Sequence, residues 1–506
     1  MATMPMSAQD ALWLTMDRPN NLMVIDSVMW FASPLDWPAV EQTVLDRLVE
    51  PFAVFRSRPK PQGSTWVWEE VDDFELADHL EYVELPDGGE FEQLRQFIGA
   101  QRSVAFDKNR PLWTIYCITN LVMDDGSAGS AVLARFHHSI ADGIRLTQAV
   151  MGLCDLDPAD VTAVGKSLPN RRSGAGVLVS ASKNVISDML DLGKSTARTV
   201  GHAVSSVGSS FLRGDVQSAG GMVVDDTKGI FTFGASALKF PERLMDVSLL
   251  VSSPDNRAVN DTASVGKLLL AGESVNTVWS GEASVEKDAG WAPAFDLATV
   301  KAVGRSTGTT VNDVLLTTVA GALGRYLRDK GDATVDEVLW MVPVSVAPVE
   351  PGIPKELGNH FALVALRMPV GPGTVAERLA EMHARMDRIK RSDEALLTFG
   401  IQRGIATAPN LLSVAVTNYF ANKAVGVLTN VPGPRSPMRL AGTEVEGILG
   451  WAPCSGNQPM TICMFSYNGK VSIGFGADKA LIPDVRRLGE LVSEDFADMV
   501  AQTIGS

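Results

Sequence analysis

The sequence predicts an α/β protein of two large regions separated by a compositionally different segment. Three observations carry this. Strand-like and helix-like segments alternate over the first ~160 residues. The same texture returns from about Ala258. The stretch between is rich in Ser, Gly, Ala and Val and is punctuated by Pro169, Gly174, Gly176, Gly201, Gly214, Gly220 and Gly221. With 506 residues, and ~150 per domain, the chain has room for two large domains or three ordinary ones. The expected division is residues 1–160, a connector over 161–257, and residues 258–506.

In the first region, Ser27 to Phe31 reads as a strand, and Trp37 to Phe52 as an amphipathic helix with Val40, Val44, Leu45 and Leu48 on one side. Phe91 to Ala105 reads as a helix, Trp113 to Leu121 and Ala131 to Phe136 as strands, and Thr147 to Cys154 as a helix. In the second, Leu297 to Gly304 and Asn312 to Arg328 look helical, with Asn312 placed to cap the latter. Glu337 to Val346 reads as a buried strand and Pro372 to Arg391 as a helix burying Leu379, Met382 and Met386. Val425 to Leu428 looks like a strand. Met460 to Ser466 and Val471 to Phe475 pair across Asn468-Gly469, a strong hairpin signal. Val485 to Ile504 closes the chain as a helix.

Within the connector, Leu178, Val185, Met189, Leu192, Val200, Val204, Val207 and Phe211 recur at roughly helical spacing. They suit a connecting helix packed on the domains, or a surface helix touching lipid. The first is favoured, because only Lys183, Lys194, Arg198 and Arg213 decorate the polar face.

A net charge of -15 disfavours a general nucleic-acid binder. It also disfavours attraction to an anionic membrane by overall charge. Cys117, Cys154, Cys454 and Cys463 are too few and scattered for a disulfide scaffold. The N-terminus lacks a signal-peptide pattern, and no apolar run reaches the ~18 residues of a membrane span. A cytoplasmic protein, at most peripheral at a membrane, is expected.

The most specific feature is His137-His138-Ser139-Ile140-Ala141-Asp142-Gly143. It holds two of only six histidines, after a predicted strand and before a predicted helix. Such turns expose side chains where sites form. Adjacent strand residues point oppositely, so one histidine can face a cleft while the other anchors the turn. Asp142 can hold the loop by an ion pair or hydrogen bonds, and Gly143 allows tight backbone geometry or close substrate approach. A buried core pair is the plain alternative. A metal site is disfavoured: zinc needs at least three protein ligands in most sites, and His202, His360 and His383 have no ligand-like spacing. Gly304-Arg305-Ser306-Thr307-Gly308 matches GxSxG, but it follows a helix rather than a strand and reads as a helix C-terminal turn.

HHSIADG resembles the HHxxxDG signature of the coenzyme A-dependent acyltransferase superfamily. Further segments narrow the resemblance: Pro111-Leu112-Trp113, Thr310-Val311-Asn312-Asp313-Val314, Leu357-Gly358-Asn359, Leu428-Thr429-Asn430-Val431-Pro432-Gly433-Pro434 and Ser466-Tyr467-Asn468-Gly469. This set, in this order, resembles the bacterial wax ester synthase/diacylglycerol acyltransferase family from about Ser7 onward. The chain departs from the family pattern in having Leu22-Met23-Val24 after Asp17, where the family tends to show Pro-Met-His, and Ala347 where it often carries Arg.

The resemblance implies two chloramphenicol-acetyltransferase-like halves, each a mixed sheet with flanking helices, with an active-site channel between them. It implies transfer of a fatty acyl group from coenzyme A to a long-chain alcohol or diacylglycerol, with no cofactor beyond that co-substrate. His138 would be the general base, since histidine titrates near working pH, and no covalent acyl-enzyme is needed. Asn312 would donate to the tetrahedral oxyanion. His137 and Asp142 would support the turn, Trp113 would pack near the site, and Asn359 and Asn430 would line the substrate cleft. Competing readings are a carrier-protein-dependent condensation enzyme, a non-catalytic lipid-droplet protein, and a hydrolase.

Overall fold

The computed structural model describes residues 2–63, 65–86, 88–156, 276–345, 354, 356–391, 398, 402, 414, 417–418 and 421–505. The expected connector, its amphipathic stretch and Ala347 lie outside the described residues.

In the first half, β1 (Thr3–Pro5) leads to α1 (Ala8–Met16), β2 (Val24–Phe31) and α2 (Trp37–Val44). The hairpin β3 (Ser57–Gln62) and β4 (Thr65–Glu70) precedes β5 (Leu80–Glu84), α3 (Phe91–Gln101), β6 (Trp113–Val122), β7 (Ala128–His137) and α4 (Gly143–Gly152). In the second half, β8 (Lys287–Trp291), β9 (Phe295–Asp296), α5 (Leu297–Thr307) and α6 (Val311–Asp329) are followed by β10 (Glu337–Ser345), β11 (Phe361–Pro369) and α7 (Val375–Arg391). Then come β12 (Gly426–Pro432), β13 (Arg439–Leu440), β14 (Thr443–Glu444), β15 (Gly447–Trp451), β16 (Met460–Tyr467), β17 (Lys470–Asp478) and α8 (Val485–Thr503).

The expected α/β class and mixed sheets are observed. One sheet runs β15-β2-β7-β6-β5, with β5 and β6 parallel and the other pairs antiparallel. The other runs β11-β10-β12-β16-β17-β8, parallel where β12 meets β10 and β16. Each has its own core. Phe31, Phe55, Trp113 and Phe136 are buried in the first, and Trp340, Leu323, Phe475 and Met499 in the second.

Several boundaries differ from expectation for local reasons. The helix from Trp37 stops its α geometry at Val44 and continues as a π turn over Leu45–Val49. The helix after Phe91 ends at Gln101. The helix of the histidine turn begins earlier than expected, at Gly143, because Asp142 caps it. That after Pro372 starts later, at Val375, where Thr374 and Glu377 bond reciprocally. Thr310, not Asn312, caps α6, with Asp313 completing a capping box. The largest departure concerns the division into successive halves. β15 lies within the expected second half, yet it pairs with β2 in the first sheet, Gly447 opposite Trp30. A local strand pattern carries no information about its partner.

A buried charge cluster stands beneath this crossing. Asp26 receives Arg102 Nη1 at 2.6 Å and Arg135 Nε at 3.0 Å, all three side chains being under a tenth exposed. Ser103 Oγ accepts the amide of Lys287 at 2.9 Å, and Lys287 pairs with Asp478 at 2.7 Å. The two sheets are thus joined through polar side chains as well as by β15.

Candidate active site

The strand β7 ends at His137, which sits opposite Val24 of β2. The chain then turns through residues 138–142 into α4. Three long-range backbone bonds fix the turn: His137 N donates to Leu112 O (3.0 Å), His138 N to Met23 O (2.7 Å) and Asp142 N to Gly358 O (3.1 Å). The Asp142 carboxylate is held by three donors. Oδ1 accepts from Arg145 N at 3.0 Å, and Oδ2 from Arg145 Nη1 and His360 N, both at 2.8 Å. It is at once helix cap, ion-pair partner and anchor of the second half's loop.

His138 is buried under the N-terminal helix. Trp13 of α1 stacks on its imidazole with centroids 4.1 Å apart, and Phe361 at the start of β11 lies at 5.6 Å from the other half. Burial pushes the imidazole below the usual histidine range; its own backbone carbonyl and Asp142 favour the proton without offsetting this. The ring is therefore neutral at physiological pH, the form a general base needs. Nδ1 is buried without a hydrogen-bond partner among the described residues.

His137 turns the opposite way. Its Nδ1 accepts from Ser139 N at 3.1 Å and lies 2.8 Å from Ser139 Oγ. Nε2 faces Asp17 Oδ1 at 3.8 Å. Burial opposes charge on Asp17, but His137, the Met23 amide (2.9 Å) and Lys108 (3.1 Å) hold its carboxyl down at about 2. Leu22, Met23 and Val24 are buried beside this group, so the departure from Pro-Met-His is accommodated in packing, and the Met23 carbonyl still anchors His138.

The other expected site residues divide. Asn359 is brought to the turn, but its amide meets protein groups rather than an open cleft. Nδ2 donates to His138 O at 2.9 Å and to Asp10 Oδ1 at 2.8 Å. Asn312 and Asn430 pair with each other, Nδ2 of Asn430 donating to Oδ1 of Asn312 at 2.8 Å. Trp113 is fully buried in the first core, paired with Phe136 one residue before His137. Its indole donates to Phe55 O at 2.8 Å and stacks on His79 at 4.6 Å. Its period-two position in a strand did not say which sheet face it takes. Gly143 needs no glycine backbone: an added Cβ would meet only Ile25 Cδ1 at 3.9 Å. Sequence reasoning missed Asp10, Trp13 and Phe361. The Ser7 cap, whose hydroxyl accepts Asp10 N at 3.1 Å, was the available sign of a helix there.

This turn, with its paired histidines and capping aspartate between two mixed sheets, can be set against known proteins. The wax ester synthase/diacylglycerol acyltransferase catalytic domain matches residues 6–245, and the C-terminal domain of the same family matches residues 357–500. Together they span most of the chain. The chain belongs to the wax ester synthase/diacylglycerol acyltransferase family. It is similar to a probable diacylglycerol O-acyltransferase of Mycobacterium tuberculosis, 24% identical over 88% of this chain and 83% of that protein. It is 21% identical to an O-acyltransferase of Acinetobacter baylyi over 97% of this chain and 96% of that one. Its fold is that of the wax ester synthase/diacylglycerol acyltransferase from Marinobacter aquaeolei, with a TM-score of 0.62, 18% identity, and coverage of 99% of this chain and 100% of that chain. As a wax ester synthase/diacylglycerol acyltransferase family member, this protein is an acyltransferase. Among its described residues no helix is long and apolar enough to cross a membrane.

Proposed function

We propose that the protein joins a fatty acyl group from coenzyme A to a long-chain alcohol or a diacylglycerol, with His138 as general base. The observation that carries this is a buried imidazole, neutral at physiological pH, at the end of the strand-to-helix turn and packed against Trp13 and Phe361. Nε2 accepts the alcohol proton as the oxygen bonds to the thioester carbonyl carbon. The tetrahedral oxyanion collapses, the C–S bond breaks, and the imidazolium returns the proton to the coenzyme A thiolate. No acyl-enzyme is required. Ser306, the serine of GxSxG, gives its hydroxyl to Val303 O at 2.9 Å within α5, which supports a route without a nucleophilic serine. Asn312 is the candidate oxyanion donor: its Oδ1 is occupied by Asn430, which leaves Nδ2 to donate.

The test is purified full-length protein with palmitoyl-coenzyme A and either hexadecanol or a diacylglycerol, following thiol release and ester product, with His138→Ala alongside. Native protein forms ester, and His138→Ala lowers kcat by about 10²–10⁴-fold while remaining folded. The better acceptor settles the acceptor class. Thiol release without ester points to hydrolysis. Transfer only from a carrier-bound thioester overturns the coenzyme A donor.

A further inference from the structure

A cavity at the crossing of the two sheets is lined from both halves. Val24 and Asp26 of β2 and Arg102 after α3 meet Gly476 and Asp478 of β17 there. Its volume is about 20 Å³, room for a single water-sized particle. The charges around it do not balance. Asp26 is shared by two guanidinium groups, Arg102 at 2.6 Å and Arg135 at 3.0 Å. Lys287 and Asp478 offset each other at 2.7 Å. Among the described residues no further carboxylate lines the cavity. Cys454 faces Arg102, Lys287 and Asp478, but burial pushes its thiol up to about 11, so it does not supply the missing charge. The cluster therefore carries one positive charge in excess, and a buried charge without its counterpart is costly.

Arg102 also has an unused edge. Its side chain is only 8% exposed, and Nη1 makes its bond to Asp26. Nε is buried without a partner, which is uncommon for a polar atom and calls for an explanation. Nε and Nη2 share one edge of the planar guanidinium, a fork that can hold one anion by two bonds. Arg135 differs: its Nε meets Asp26 and its Nη2 donates to Val104 O at 2.9 Å. Gly476 leaves space beside the Arg102 fork, since an added Cβ would fall 2.7 Å from Nη2.

We propose that this cavity is a binding site for a small monovalent anion of the size of chloride, held by the Nε–Nη2 edge of Arg102. The anion gives Nε an acceptor and supplies the missing negative charge. A water molecule does only the first, and a phosphate or carboxylate group is too large for the space. The occupied site joins Arg102, on the side of the first sheet, to β17 of the second. Val24, two residues along β2 from Asp26, stands opposite His137, so this joint lies behind the histidine turn. The site does not depend on which acyl donor or acceptor the protein uses.

The test compares thermal midpoints of the full-length protein in sodium chloride and in sodium isethionate, whose anion is too large for the cavity. Equal ionic strength keeps general screening the same. Chloride is expected to raise the midpoint by about 2 °C or more and to saturate, as binding to the folded state requires. Gly476→Ala keeps Arg102 and Asp26 but sets a methyl group against the fork, and Arg102→Gln removes the fork. In both the midpoint is expected to be the same in the two salts. Crystals of the native protein soaked in sodium bromide are expected to show an anomalous peak between the Arg102 guanidinium and Gly476. A water molecule there without a bromide peak overturns the proposal, and this measurement decides alone if neither variant folds. A bromide peak without any chloride effect on the midpoint means binding at crystal concentration only and also overturns it. So does a folded variant that keeps the full chloride effect, since the anion would then bind elsewhere.

Discussion

In the proposed mechanism His138 has two requirements to meet. A general base must be unprotonated, and it must point one nitrogen at its substrate. The Trp13 stack and the burial beneath α1 achieve the first by making the charged ring costly. The sign for catalysis follows directly. A depressed imidazole pKa keeps the base form present further into acid, so kcat/KM is expected to stay level from about pH 8 to about pH 6 and to fall only as the pH approaches the lowered value of about 4. Ester formation followed by chromatography across this range checks it. An inflection at or above the unperturbed value would contradict the environment described for the ring. His137, one residue earlier, is equally buried but is tied to Ser139 and Asp17, and so stabilises the turn.

At the scale of elements, two positions separate structural from chemical roles. Thr310 and Asn312 are neighbours at the start of α6, yet only Thr310 caps it. Thr310→Ala is expected to cost about 1 kcal/mol of stability with kcat little changed. Asn312→Ala should do the reverse, leaving the thermal midpoint near native and lowering kcat by about 10²–10³-fold if its amide serves the oxyanion. Equal effects from both, in melts and in rates, would remove that role. β15 gives a second case. Gly447 faces Trp30, and an added Cβ would fall 2.0 Å from Cζ2 of that ring. Trp30 is itself held between Phe91 and Trp291. Gly447→Ala should therefore loosen the strand shared between the halves and cost about 1–3 kcal/mol, read as a lower denaturant midpoint. A midpoint equal to native would show that Trp30 yields freely.

Over the whole molecule, the two sheets are bound into one catalytic body by contacts that cross between them. β15 completes the first sheet, Asn359 and Gly358 hold the His138 turn, and Asp26 neutralises Arg102 and Arg135 beneath the crossing. Asp26→Asn would leave two buried guanidinium groups without a counter-charge, and a loss of about 3–5 kcal/mol is expected. Equilibrium denaturation of the two proteins checks this. A loss under about 1 kcal/mol, the range of exposed pairs, would mean that water reaches the cluster.

Some of this was legible in the residues themselves. The alternation of apolar periods revealed the α/β class, and HHSIADG announced a strand, a turn and a helix. Asn468-Gly469 announced its hairpin, and both residues do adopt positive φ, 45° and 75°. These are local properties, encoded within a few residues and set by backbone sterics and side-chain spacing. Asp10, Trp13 and Phe361 were invisible at the site because each is ordinary where it stands and acquires its role only by meeting His138 from a distant element. The face that Trp113 takes was not legible for the same reason, since its strand has two faces and only the neighbouring Phe55 and His79 choose between them. The sequence by itself determined the fold class and the strand-to-helix turn with its two histidines. Tertiary structure alone decided which sheet receives β15, which groups surround His138, and how far burial lowers its pKa, because partners, dielectric surroundings and orphaned donors exist only once remote segments pack together.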